Sequence, residues 1–370
     1  MNPDAIIPSI DPIPLPAPVW LFKVLLMTTF ILHIIAMNFV LGGGVLSVVA
    51  RLKGKTNELF FKVAGDIGKK IPAFMAATIT LGVAPLLFVQ VLYGQFFYTS
   101  SILLGWIWFM VIIFLVVNYY GFYLVAFKDD QRTAARGWIM LVSVLLIFTI
   151  GFIYSNNFTL MTTPGVWKAR YLADPAGWNL NWQDTTLIPR FLHFFVASLA
   201  VGGLFVVSMG LFRWKKEPEY ARVLISFGGK WFLYATLVQF LVGIWFLISL
   251  PREQMLIFMG DNLLATVSFG IAIVAALAAL FLMASSLRTD DPRKGMLVSI
   301  GLTGVVVVFM SIMRDALRDA ALAPYLQQQS FTVKTQWDVL SIFLVLFIGG
   351  LLLWFTMIKK YFFPARPQTE

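Results

Sequence analysis

The chain has no cysteine, only two histidines, and few charges, with 12% of its 370 residues being Asp, Glu, Lys or Arg. The missing thiols exclude disulfides, thiolate metal sites and covalent attachment of a c-type haem to this chain. There is no P-loop, no glycine-rich dinucleotide fingerprint, no Gly-x-Ser-x-Gly elbow and no metalloprotease helix. These absences remove the common nucleotide-dependent and hydrolytic chemistries. The apolar runs also lack the several buried acids that a proton-coupled transporter usually carries. What fills the chain instead is hydrophobic, at 59% of residues, with a mean hydropathy of +0.84. A water-soluble domain is not built this way. Apolar runs of twenty or more residues recur, each long enough to cross a hydrocarbon core of about 30 Å as a helix.

The reading is therefore an all-α, polytopic membrane protein of about nine transmembrane helices. They are expected near residues 20–50, 73–97, 101–127, 138–155, 188–212, 223–249, 263–287, 296–313 and 336–358. The formal charge of +10 does not imply nucleic acid, because the basic residues sit in short connections between spans. Alternate connections hold most of them: residues 51–72, the loop with Lys128, Arg132 and Arg136, the loop from Arg213 to Arg222, the loop with Arg288, Arg293 and Lys294, and the C-terminal tail. Positive-inside bias then puts the N-terminus outside and the C-terminus in the cytoplasm, which requires an odd number of spans. Residues 1–19 read as a retained, proline-rich outer tail with Asp4 and Asp11 and without the basic start of a signal peptide. The remaining divisions are a four-helix unit over 20–155, an outer loop at 156–187, a second four-helix unit over 188–313, an outer charged segment at 314–335, and a ninth helix with its tail at 336–370.

The two histidines mark a repeat. His33 and His193 each begin His-x8-Gly-Gly, 160 residues apart, ending at Gly42-Gly43 and Gly202-Gly203. Nine residues turn a helix through about half a rotation, so the glycines face away from the histidines and suit close helix packing. An intramembrane histidine must face protein, water or a ligand. The plainer role is a hydrogen bond to a neighbouring helix. The sharper one is axial ligation of haem iron, for which neutral imidazole is a common ligand. His193 lies three residues after Arg190, near the outer end of its helix. Met313, Arg314, Asp315 and Arg318 come to the same outer layer. A charged run at a helix exit is ordinarily a solvated face with i,i+3 and i,i+4 pairs. The alternative is an ion-pair site that neutralises haem propionates or holds a quinol head group.

The residues also resemble subunit I of the cytochrome bd quinol oxidases along nearly the whole chain. Phe191-Leu192-His193-Phe194-Phe195-Val196-Ala197-Ser198 resembles that family's fifth-span haem-ligand stretch. Leu81-Gly82-Val83-Ala84 with Gly94 resembles its second span, and Lys62 to Lys70 its first cytoplasmic loop. His33 falls at the first-span ligand position. Asp315-Ala316-Leu317-Arg318 falls where the family has a ligand Glu followed three residues later by Arg. The resemblance implies that His193 ligates a low-spin haem b, that His33 and Asp315 are counterparts of ligands at two further haems, and that Arg318 neutralises a propionate. The connection at 250–262, which in the family is the long quinol-binding loop, is short here, with Met255 and Met259 near it.

The expected function is a haem-b-binding electron-transfer subunit of a bacterial inner membrane, carrying one to three haems. It would pass electrons between the quinone pool and an outer-face partner, such as a c-type cytochrome on another chain. The expected site set is His193, His33, Asp315, Arg318, Arg314, Met313 and Arg190. Three other readings stay open: a quinol-dependent terminal oxidase, a non-haem transporter built from parallel repeats, and a structural anchor of a respiratory complex.

Overall fold

The computed structural model describes residues 7–8, 13–127, 133–326 and 331–362, with side chains to 357 at the C-terminal end. Asp4, Asp11, Lys128, Arg132 and Arg366 lie outside the described residues, as do the side chains of Lys359 and Lys360. Among the described residues the architecture is helical, with one isolated β-bridge, Leu15 to Val333.

Eight helices are long and apolar enough to cross a membrane. They are α1 (Val19–Lys53), α2 (Glu58–Phe127), α3 (Ala134–Met161), α4 (Leu187–Arg213), α5 (Pro218–Ser249), α6 (Leu263–Ser286), α7 (Arg293–Leu322) and α8 (Trp337–Phe362). Helix α2 accounts for two of the nine expected passes. Its backbone leaves helical geometry at Tyr93 and at Gly105, where φ is +43°. The rings of Phe97 and Trp108 lie 5.8 Å apart, and Gly68 faces Val125, so the chain folds back on itself as a helical hairpin. Glycine is required at 105 because the positive φ disfavours other residues. A Cβ there would also lie 2.9 Å from the Gly177 backbone. The first arm reaches beyond the apolar span at its start, where Glu58, Lys62, Asp66, Lys69 and Lys70 lie.

Contact clustering divides the chain into two units. In the smaller (residues 10–24 and 327–370), the segment around Leu15 pairs through the isolated bridge with the segment before α8. Leu15 N–H donates to Thr332 O at 2.8 Å, and Lys334 N–H donates to Leu15 O at 2.9 Å. These two segments thus share one side, as alternating passes require. The larger unit (residues 25–326) holds the bundle. There the arms of α2 lie along α3, α4 lies along α5, and α6 lies along α7.

Helices α1 and α4 cross at the paired glycines. A Cβ on Gly202 would sit 2.7 Å from the Gly42 carbonyl carbon and 2.8 Å from the Gly43 nitrogen, and one on Gly42 would overlap the Ser198 carbonyl. Without a hydrophobic drive between helices in lipid, close backbone approach through small residues is how such pairs gain dispersion energy. Helix α1 passes this crossing through a π-helical turn, Phe39–Gly43. Two ion pairs, Lys62–Glu217 and Arg213–Asp66 (2.9 Å), tie the segment after α1 to the end of α4. An aromatic and guanidinium stack described below joins their N-terminal halves, so α1 and α4 run parallel.

Candidate functional site

The parallel crossing sets the depth of both histidines. Each lies nine residues before a glycine of the crossing, about 13 Å along its helix at 1.5 Å per residue. His33 and His193 are therefore on one level, on neighbouring helices.

Each imidazole packs against the next helix of its own unit in the same way. His33 Nδ1 lies 2.9 Å from the Thr78 carbonyl oxygen, and a Cβ on Gly82 would come within 2.8 Å of its ring. Around His193, Gln239 Nε2 donates to the His193 carbonyl at 3.0 Å, and a Cβ on Gly243 would lie 3.5 Å from the ring. Thr78-x3-Gly82 and Gln239-x3-Gly243 are 161 residues apart, one more than the histidine spacing. In each case a polar residue that bonds the histidine, through its backbone carbonyl at Thr78 and to the backbone carbonyl of His193 at Gln239, is followed one helical turn later by a glycine against the ring. A nitrogen facing a carbonyl must donate, so His33 carries its proton on Nδ1 and keeps the Nε2 lone pair. That is the tautomer a metal ligand needs, fixed by the hydrogen bond on the other nitrogen.

The polar atoms around both histidines are incompletely satisfied. Thr78 Oγ1, Gln239 Oε1 and His193 Nδ1 are buried without hydrogen-bond partners among the described residues. Buried polar atoms are nearly always paired, so such orphans call for a ligand or water.

The arginines sort into two kinds. Arg318 is 1% exposed and forms an ion pair with Asp315 one turn earlier. It also donates to the Tyr93 hydroxyl at 3.2 Å, and that hydroxyl donates to Asp319 at 2.7 Å. The charged run from Arg314 to Asp319 is thus not a solvated helix exit. Helix α7 continues to Leu322 and buries Arg318 against the second span. Arg190 and Arg314 differ from Arg318, since neither has a carboxylate within ion-pair distance among the described residues. Both lie on aromatic faces instead. Arg314 sits 4.3 Å from the Phe30 ring centroid and 4.7 Å from that of Phe158. Arg190 sits 4.8 Å from Phe158 and 4.9 Å from Phe246, whose ring lies 5.8 Å from His193. Cation–π contact compensates part of the desolvation of a guanidinium, at roughly 0.5–2 kcal/mol, but supplies no counter-charge.

Met313 packs in an apolar cluster with Phe246, Met255, Phe258 and Leu317, while Met259 lies exposed. The 250–262 connection is folded as a short helix, Arg252–Leu256, and a π turn, Ile257–Asp261. It borders a cavity of about 310 Å³ at the ends of α3, α5 and α7, lined by Thr162, Pro251, Glu253, Gln254, Ala321 and Tyr325, among others. Phe158 is one turn from Thr162 on α3. An asparagine network pins the segment after α3 to the tip of the α2 hairpin. Asn157 bonds Ser100 and Ser101, Asn181 N–H donates to Asn156, and Asn179 donates to Leu103 O.

Among the described residues no three His, Asp or Glu side chains cluster as a metal site. A porphyrin supplies four of its iron's ligands and needs only an axial imidazole from the protein. The donors present here fit that group: imidazoles on one level, beside two guanidiniums, Arg190 buried and Arg314 half-buried, that have no carboxylate within ion-pair distance among the described residues.

These features define a polytopic helical membrane protein with paired intramembrane histidines. No family profile matches the chain, and no curated protein does. A solved chain of the bd oxidase from Geobacillus thermodenitrificans is similar, with a TM-score of 0.71 over 95% of this chain and 99% of that one, at 13% identity. The chain therefore has the fold expected from the resemblance in its sequence, and at this identity the likeness is one of fold.

Proposed function

We propose that the chain is a haem-b-binding electron-transfer subunit of a bacterial inner membrane, a diverged relative of the bd oxidases that draws electrons from quinol. The observation that carries this reading is the pair of imidazoles on one level, each packed on the following helix near a guanidinium with no carboxylate within ion-pair distance among the described residues. The bd oxidase fold supports the same reading. Haem b supplies one-electron transfer at its iron when bound. The residues of this chain supply the rest. Thr78 orients the His33 ring, Gln239 anchors the backbone of His193, and Arg190 and Arg314 offer positive charge to propionates. The cavity beside Glu253 and Tyr325 has polar groups and a size that suit a quinol head group, one helical turn from Phe158. Glu253 is the group there able to accept a quinol proton. Other respiratory subunits would receive or deliver electrons on the outer side.

The test is a dithionite-reduced minus oxidised spectrum of the purified protein with a pyridine haemochrome assay. A haem b band that weakens in His193→Ala and in His33→Ala is expected. A colourless protein from a haem-replete host would refute the reading. Addition of a short-chain quinol should reduce the haem, and Glu253→Gln should slow that reduction.

A further inference from the structure

The surroundings of the two histidines correspond element by element. Resting on the haem reading above, we infer that the chain carries two tetrapyrrole sites and no third, each with its own arginine, Arg314 for His33 and Arg190 for His193, meeting at the shared ring of Phe158.

The pairing follows from the stack. Phe30 lies one turn before His33 on α1, and Arg314 covers it at 4.3 Å. Arg190 lies one turn before His193 on α4, and Phe246, which it covers at 4.9 Å, contacts the His193 ring. Phe158 lies between the two guanidiniums, at 4.7 and 4.8 Å. The order is thus Phe30, Arg314, Phe158, Arg190, Phe246, His193, contributed by five helices. Two like charges on one aromatic ring, inside a membrane and with no carboxylate within ion-pair distance among the described residues, are a costly arrangement; Asp184 reaches Arg190 only through the Thr186 hydroxyl. Anionic side groups of a bound ligand would relieve it on both sides. The orphaned Thr78 Oγ1 at one histidine and Gln239 Oε1 at the other make the unmet polarity symmetric as well.

A third site would need a third axial donor. The histidines are used up. Asp315, the resemblance's counterpart of a ligand Glu, is engaged by Arg318, which is 1% exposed. Moving that carboxylate to an iron would strip a buried guanidinium of its ion-pair partner. Met313 is committed to an apolar cluster. Among the described residues, the Asp315–Arg318–Tyr93 set therefore holds the carboxylate on which a third site would draw.

The experiment is a haem count per chain on the purified protein, followed by a spectroelectrochemical titration. Two haems per chain are expected, falling to one in His33→Ala and to one in His193→Ala. Arg314→Gln should lower the midpoint potential of the component missing in His33→Ala and leave the other in place, because loss of a nearby positive charge favours ferric iron. Arg190→Gln should do the converse, and Arg314→Lys should restore most of the shift. One or three haems per chain would overturn the inference while leaving the haem reading intact. So would Arg314→Gln moving both components equally or neither. No haem at all would sink the underlying reading instead. Asp315→Asn adds an independent arm: retention of two haems is expected, and loss of one would make Asp315 a ligand and refute the closed third site.

Discussion

Substitution of Gly202 by alanine tests the crossing that sets the level of both histidines. The new methyl would lie 2.7, 2.8 and 3.0 Å from Gly42 and Gly43 atoms, all of them backbone. Ordinary contact begins near 3.4 Å, so α1 and α4 must part by several tenths of an ångström. Neither side can yield by a rotamer change. Overpacking of this kind costs about 1–3 kcal/mol, against a gain of up to about 1 kcal/mol from the better helix propensity of alanine. A net loss of about 0–2 kcal/mol follows from those two ranges. Gly301→Ala is the control, because nothing lies within 4 Å of a Cβ at that position. It should be neutral or stabilising by up to about 1 kcal/mol. Both variants are measured by thermal unfolding in one detergent, with the fraction of cofactor retained read alongside. Gly202→Ala should melt several degrees below Gly301→Ala and lose cofactor from both histidines. If the two variants melt together, the glycine contact does not hold α1 to α4, and the argument for a common level fails with it.

Gly82→Ala should act on one histidine only, because its Cβ would come within 2.8 Å of the His33 ring and push it off the Thr78 carbonyl; loss of the His33 spectral component with the His193 component kept is the expected result. Asp315→Ala removes the ion-pair partner of a buried arginine, a class of change that costs about 3–5 kcal/mol, and should melt far below the native chain, with Asp315→Asn, which keeps an acceptor oxygen but not the charge, between the two. The Lys62–Glu217 pair gives a pH effect: the hydrogen bond from Lys62 holds the Glu217 carboxyl below its ordinary value. A depressed carboxylate contributes stability above the unfolded pKa, near 4.3, that is lost as pH falls through the folded one. The melting temperature should therefore fall more on acidification from pH 5 to 3 in the native chain than in Glu217→Gln, by a small margin given the exposure of the pair.

The spans were legible because lipid leaves little choice. Each apolar run must satisfy its own backbone, and helix boundaries followed runs such as 188–212 and 263–287 to within a few residues. The turn at Gly105 was not legible as a positive-φ residue, since it belongs to the fold-back of α2 and to the approach of Gly177 from more than seventy positions away, neither of which is local. The π turn at Phe39–Gly43 has no local signature either. The histidines stood out by rarity, but their beds did not. Thr78 and Gly82 gain meaning only when set beside Gln239 and Gly243 at a spacing of 161, a comparison available in the sequence once the histidines are aligned. Tyr93 and Phe158 carried no signal at all among 35 phenylalanines and 11 tyrosines. The charged run of α7 read as a surface because i,i+3 pairs usually are one. Its burial depends on the second span standing beside it.

The glycines read from sequence as packing residues prove to carry positional information too. A helix crossing fixes depth only at the point of contact, and a repeat fixes spacing only along one helix. Combined, they place two side chains nine residues upstream on the same level. The N-terminal halves of α1 and α4 lie beyond that contact, and there Phe158 of α3 and Arg314 of α7 insert beside Arg190 of α4 itself. Close approach at the glycines and an open polar layer above them are thus one geometric consequence of a parallel crossing placed well inside the membrane. A bundle with large residues at 42 and 202 would separate the helices along their whole length, and the arginines would then meet lipid or water instead of one another's aromatic neighbours.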